Sequence, residues 1–129
     1  MAATLLAQPG TISDKIGVPI ELKKILVRDS GKPRATGIPT ELLTTNPEDI
    51  LDDYDIHVVV EVIGGVTPAC GYLKRALAAG KHVVTANKEV MAQSGPELFR
   101  IAEKNRVNLL FEASVAGGIP IVGCLMNEL

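Results

Sequence analysis

The sequence has no tryptophan and only two tyrosines and two phenylalanines, 3% aromatic in all. Proteins that grip single-stranded nucleic acid stack bases on aromatic rings, so that mode of binding has little to work with here. Basic charge is not in excess either: 13 Lys and Arg face 15 Asp and Glu, a formal net charge of -2. Coating duplex phosphates needs clustered Lys and Arg, and no nucleic-acid partner is expected. No apolar run approaches the ~20 residues that span a bilayer. The opening MAATLLAQPG lacks the basic stretch that begins a secretory signal. No membrane association is expected. Cysteine is scarce: Cys70 and Cys124 stand far apart without the paired spacing of a zinc site. Both are expected to be reduced packing residues of a cytoplasmic protein. Internal repeats and low-complexity tracts are missing, and G-x-G-x-x-G occurs nowhere.

What is present suits a single folded domain. The 129 residues are 47% hydrophobic and 22% charged, enough to build a core. Residues 19–28, rich in branched apolar side chains and followed by DSGKPR, predict a strand and a loop. Gly31, Pro33, Gly37, Pro39 and Pro47 predict no regular structure across 31–47, with a short helix capped by Asn46 and opened by Pro47. The near-continuous apolar run His57–Ile63 predicts a strand covered on both faces, as in parallel sheets, ending at Gly64-Gly65. Thr67 and Pro68 predict a cap and first turn for a helix carrying Ala69, Leu73, Ala76 and Leu77 inward, closed at Gly80. Strand His82–Thr85 follows. Ser94 predicts the cap of a helix from Pro96 to Lys104, then come a short strand Asn108–Phe111 and a helix from Ile119 to Leu129. Alternating strands and helices specify the α/β class with a parallel sheet.

Open α/β sheets bind ligands beyond the carboxyl ends of their strands. Four places qualify: Arg28-Asp29, Gly64-Gly65, Thr85–Lys88 and Glu112–Ile119. At Gly64-Gly65 the missing side chains let a planar ring or a phosphate reach the backbone, or they serve only a tight turn. Lys88 is either a donor to a substrate or cofactor oxygen or an ordinary solvated lysine, and Asn87 either orients it or caps a helix. Arg28 suits the 2′-phosphate of NADP, while Asp29 beside it leaves NAD open; a surface Arg–Asp turn is the plain alternative. Glu112 and the Gly117-Gly118 loop offer a carboxylate and carbonyls to a hard cation, or make a helix-leading turn. Glu61 lies inside the apolar strand, fits a hydrogen-bonded carboxylate at a strand end, and receives no catalytic role.

Taken together, VVEVIGG (59–65), ALAAGKHVVTANK (76–88) and FEASVAGGIPI (111–121) resemble homoserine dehydrogenases closely, with IELKKILVRDSGKPR (20–34) a looser match. The resemblance implies a Rossmann-like, doubly wound parallel sheet. It implies an oxidoreductase that interconverts L-homoserine and L-aspartate 4-semialdehyde with NAD or NADP, in threonine and methionine biosynthesis. Its partners would be that small-molecule substrate and a further copy of the full-length enzyme. Lys88 would assist catalysis beside the nicotinamide. Arg28 would contact the adenosine end of the cofactor, and Ile63, Gly64 and Gly65 would flank the nicotinamide. Glu112, Val115, Gly117 and Ile119 would hold a sodium ion. The sequence departs from the family pattern at its start, where the first strand and glycine-rich loop are expected and Met1–Gln8 matches only the helix after them. In the usual order 3-2-1-4-5-6 that strand is central, so its lack would leave open sheet edges at 20–27 and 57–63. The substrate and dimerisation domain is likewise expected outside these residues, which makes 1–129 a partial cofactor-binding domain, inactive alone. A standalone nucleotide- or partner-binding module and another amino-acid semialdehyde dehydrogenase are the alternatives.

Overall fold

The computed structural model describes residues 2–7, 10, 13–14, 17–33, 37–115 and 125. Its contacts divide the chain into two units, Met1–Ile50 and Leu51–Leu129. Among the described residues, no helix is long and apolar enough to cross a membrane.

The first unit opens with helix α1 (Ala2–Ala7). Strand β1 (Ile25–Leu26) pairs in parallel with β2 (Leu43–Thr44), and the Val27 N–H extends the ladder to the Thr44 carbonyl. The sequence pattern did not predict β2, because two residues between a 3-10 turn (Thr40–Leu42) and Pro47 are too few to show periodicity. Its partner, not its own pattern, makes it a strand. The short helix expected after Asn46 is present as α2 (Glu48–Leu51). The Asn46 side chain accepts from the Glu48 N–H at 3.4 Å, and Thr44 Oγ1 donates to Asp49 at 2.5 Å.

The second unit is a three-stranded parallel sheet in the order β3-β4-β5, formed by Val58–Glu61, His82–Thr85 and Leu109–Leu110. The ladder aligns Val59 with Val83 and Val83 with Leu109, and Glu61 with Thr85. One face therefore collects Val59, Glu61, Val83, Thr85 and Leu109. Helices α3 (Ala69–Ala78) and α4 (Lys88–Asn105) pack on each other, and Leu73, Leu77, Val90, Leu98 and Ala102 join Val83 and Leu109 in one core. Cys70 is a free thiol packed against that core; Cys124 lies outside the described residues. The opposite face carries Val58, Val60 and Leu110, which are 51%, 41% and 57% exposed. The expectation that β3 is covered on both faces is thus corrected. A continuous apolar run licenses two-sided burial only where a second layer is present, and among the described residues of this unit helices cover one side.

Helix boundaries needed two further corrections. Pro68 is the N-cap of α3, not its first helical residue, and Thr67 makes no capping bond. The predicted cap at Ser94 and start at Pro96 are replaced by an 18-residue helix that begins at Lys88, capped by Asn87, with Pro96 in its interior. Proline removes the bond to the Ala92 carbonyl, and both residues are exposed. Val90 before it and Leu98 and Ala102 after it are buried in one core, which carries the helix through.

The helix ends are legible in physical terms. At α3, Gly80 takes a left-handed conformation (φ 78°), its N–H bonding Leu77 O while the Lys81 N–H bonds Ala76 O. At α4 the same pair of bonds runs from Arg106 to Glu103 and from Val107 to Ala102, but the left-handed residue is Arg106, φ 56°. The expected helix at Ile119–Leu129 lies outside the described residues, apart from Leu125.

Candidate functional site

Two strand ends meet at the carboxyl edge of the second sheet. The chain leaves β3 through Glu61 and turns at Gly64 and Gly65, both left-handed with φ of 79° and 69°. The neighbouring strand β4 ends at Thr85, passes Ala86 and Asn87, and starts α4 at Lys88. Parallel pairing forces both exits onto the same rim.

A buried polar network fixes one exit to the other. Glu61 is 3% exposed. Its Oε1 accepts from the Ile63 N–H at 2.7 Å, the Gly64 N–H at 3.4 Å and Asn87 Nδ2 at 3.4 Å. Thr85 Oγ1 donates to Glu61 Oε2 at 2.6 Å and accepts from the Asn87 N–H at 3.0 Å. Asn87 Nδ2 also donates to the Gly65 carbonyl at 2.7 Å, and its Oδ1 accepts from the Val90 N–H at 3.1 Å. Among the described residues, no buried side-chain nitrogen or oxygen lacks a partner. Fully satisfied networks of this kind rigidify their surroundings.

This arrangement separates the two roles considered for the glycine turn. Both glycines are required by their dihedrals, since other residues are strained there. The amides of Ile63 and Gly64 point inward at Glu61, so they do not form an outward anion cradle. A Cβ built on either glycine meets nothing within 4 Å. The outward side of the turn is open.

Lys88 occupies the first position of α4, where the helix dipole opposes a cation. It is exposed and, among the described residues, has no ion-pair partner. With Met91, Pro96, Phe99, Phe111 and Val115 it lines a cleft of about 380 Å³. Two of these residues, Phe99 and Phe111, meet edge to face at 5.3 Å. Among the described residues, the fold offers no structural reason for a cation at this helix position.

The remaining expected positions are placed as follows. Glu112 starts a 3-10 turn (Glu112–Ser114) after β5, half-buried, and its carbonyl accepts from the Val115 N–H at 3.1 Å. Gly117 and Ile119 lie outside the described residues. No group of three or more His, Cys, Asp or Glu side chains is assembled for a metal among the described residues. Arg28 is exposed just beyond β1 in the first unit, while Asp29 Oδ1 accepts from the Gly31 N–H at 2.8 Å, an Asx turn within its own loop. Sequence reasoning assigned Glu61 no more than a hydrogen-bonded position and left Asn87 open between orienting Lys88 and capping a helix. The bonds that join Glu61 to Thr85 and to Asn87 span 24 and 26 residues of chain, beyond any local signal.

Residues 1–112 match the family model described as homoserine dehydrogenase, NAD binding domain. A homoserine dehydrogenase of Bacillus subtilis (strain 168) is 51% identical over 115 residues, which covers 89% of this chain and 27% of the relative. One from Synechocystis is 47% identical over 110 residues, covering 85% and 25%. Among solved structures, a homoserine dehydrogenase from Thiobacillus denitrificans superposes with a TM-score of 0.84 at 41% identity, over 99% of this chain and 30% of that one. That of S. aureus at pH 7.5 superposes at 0.81 and 40% identity, over 90% and 30%. The chain thus spans about a quarter of the length of the curated relatives it matches.

Proposed function

The chain belongs to the NAD-binding domain family of the homoserine dehydrogenases, and from that membership we propose that it is the cofactor-binding part of an enzyme interconverting L-homoserine and L-aspartate 4-semialdehyde. The observation that carries this reading is the bond from Asn87 to Gly65, which ties a ring-accepting glycine turn to the first turn of the helix bearing Lys88. When bound, a nicotinamide dinucleotide supplies or accepts the hydride. The chain's own residues bind and orient. Ile63, Gly64 and Gly65 offer a surface free of side chains to the ring. Lys88 holds its ammonium at the cleft, where it stabilises negative charge developing on the substrate oxygen and handles its proton.

The exposed Arg28 guanidinium, with Asp29 folded back onto its own loop, favours a 2′-phosphate and hence NADP at the adenosine end. Glu112 and Val115, with Gly117 and Ile119, are proposed to hold a monovalent cation through oxygen donors. The substrate's own ligands and the contacts between subunits are assigned to a domain outside these residues, in keeping with the share of the relatives that the chain covers.

The experiment is a titration of the purified chain with NADPH and NADH, followed by nicotinamide fluorescence, and repeated with Arg28→Ala. NADPH is expected to bind more tightly, and Arg28→Ala to remove that preference. Equal binding before substitution refutes the Arg28 assignment, and no binding of either refutes the cofactor site. The 129-residue chain is expected not to oxidise NADPH with aspartate semialdehyde until a substrate domain is joined to it.

A further inference from the structure

Glu61 is a buried carboxylate in an apolar strand, and its partners raise a question that structural support alone does not answer. Four donors address it: two backbone amides, the Asn87 amide and the Thr85 hydroxyl. None carries a positive charge. A buried ion usually has a countercharge, because burying an unpaired one is costly. Here dipoles satisfy the lone pairs, yet the charge itself is not neutralised. Its field passes through the Gly64–Gly65 turn, where no side chain intervenes and a built Cβ meets nothing within 4 Å.

We propose that Glu61 is a specificity-determining residue whose charge, acting through the glycine turn, favours the oxidised, positively charged nicotinamide ring over the reduced, neutral one. This rests on the reading that the ring lies at Gly64–Gly65. The two redox forms share the same atoms at the turn apart from one hydride, and differ by one unit of ring charge. A negative charge a few ångströms below the ring therefore separates them, while purely steric support treats them alike. Lys88 and the amide end of α4 act in the opposite sense. Lys88, however, is exposed and screened by water, whereas Glu61 acts from within the protein.

The test is an NMR titration of the purified chain with oxidised and reduced nicotinamide mononucleotide, reading the Gly64 and Gly65 amide signals. Glu61→Gln is expected to weaken the oxidised form by roughly five- to tenfold, the scale of one charge acting over several ångströms. The reduced form is expected to stay within about twofold of the unaltered chain on the same argument. Glu61→Asp, which keeps the charge, is expected to keep the ratio of the two affinities. An equal loss of both forms in Glu61→Gln overturns the proposal and leaves Glu61 a structural residue. If the unaltered chain binds neither form at these glycines, the nicotinamide reading fails and the proposal with it. A second measurement needs no substitution: the N-methylnicotinamide cation should bind the unaltered chain more tightly than uncharged nicotinamide. Equal or weaker binding of the cation overturns the proposal even if Glu61→Gln does not fold.

Discussion

Asn87 reaches from the end of β4 to the turn after β3, where its Nδ2 donates to the Gly65 carbonyl at 2.7 Å. The same side chain caps α4 through Val90, so one amide starts a helix and anchors a turn on a different strand. Asn87→Ala removes both functions in a buried setting. The expected cost is about 2–3 kcal/mol, a cap plus an unsatisfied buried group, read as a lower urea midpoint with unchanged slope. Asn87→Asp keeps the capping oxygen but loses the donors and sets a second carboxylate beside Glu61. It is not expected to rescue stability.

Lys88 should behave in the opposite way. Removing a cation from a helix N-terminus is expected to leave stability unchanged or raise it by about 0.5 kcal/mol. In the enzyme carrying this domain, Lys88→Ala is expected to lower semialdehyde reduction by about 100-fold or more. Thermal unfolding and steady-state rates, measured on the same preparation, check the separation. A stable variant with full activity would remove Lys88 from the chemistry.

Arg106 closes α4 in a left-handed conformation that glycine adopts without strain. Its N–H and that of Val107 already make the closing bonds, so Arg106→Gly keeps them. The substitution is expected to stabilise the chain by about 0.5–1 kcal/mol, the conformational strain less the extra freedom of unfolded glycine. Chemical denaturation of the two proteins side by side measures it.

Lys74 on α3 meets Glu97 on α4 at 2.8 Å. The hydrogen bond that Lys74 donates to Glu97 holds its ammonium above the ordinary 10.5, with desolvation opposing. A raised lysine contributes fully below 10.5 and loses its contribution as pH climbs through the higher folded value. Stability from this pair is therefore expected to be flat across neutral pH and to fall only in strong alkali. Glu97→Gln should flatten the alkaline limb of a plot of Tm against pH, and added salt should shrink the difference between the two proteins.

The α/β class, the strands β3, β4 and β5, helix α3 and its glycine stop were legible because each rests on local signals: branched apolar runs, small inward residues at helical spacing, and Gly80. What escaped the sequence depended on distant partners. Strand β2 exists because β1 lies beside it. The start of α4 was misplaced because Pro96 looks like a first-turn proline, while the true cap, Asn87, lies nine positions earlier in a stretch with strand character before it. That Lys88 and the glycine turn share one rim followed from parallel pairing. The network of Glu61, Thr85 and Asn87 that holds them together was not.

The two sides of β3 are unlike: Val59 and Glu61 look inward, Val58 and Val60 outward. Inserting or deleting one amino acid between His57 and Glu61 would rotate the strand by half a turn, thrusting valines where the hydroxyl of Thr85 awaits an acceptor and turning the acid into the solvent. Length changes of that kind should be fatal here, whereas an extra residue in the exposed 29–33 loop should pass almost unnoticed.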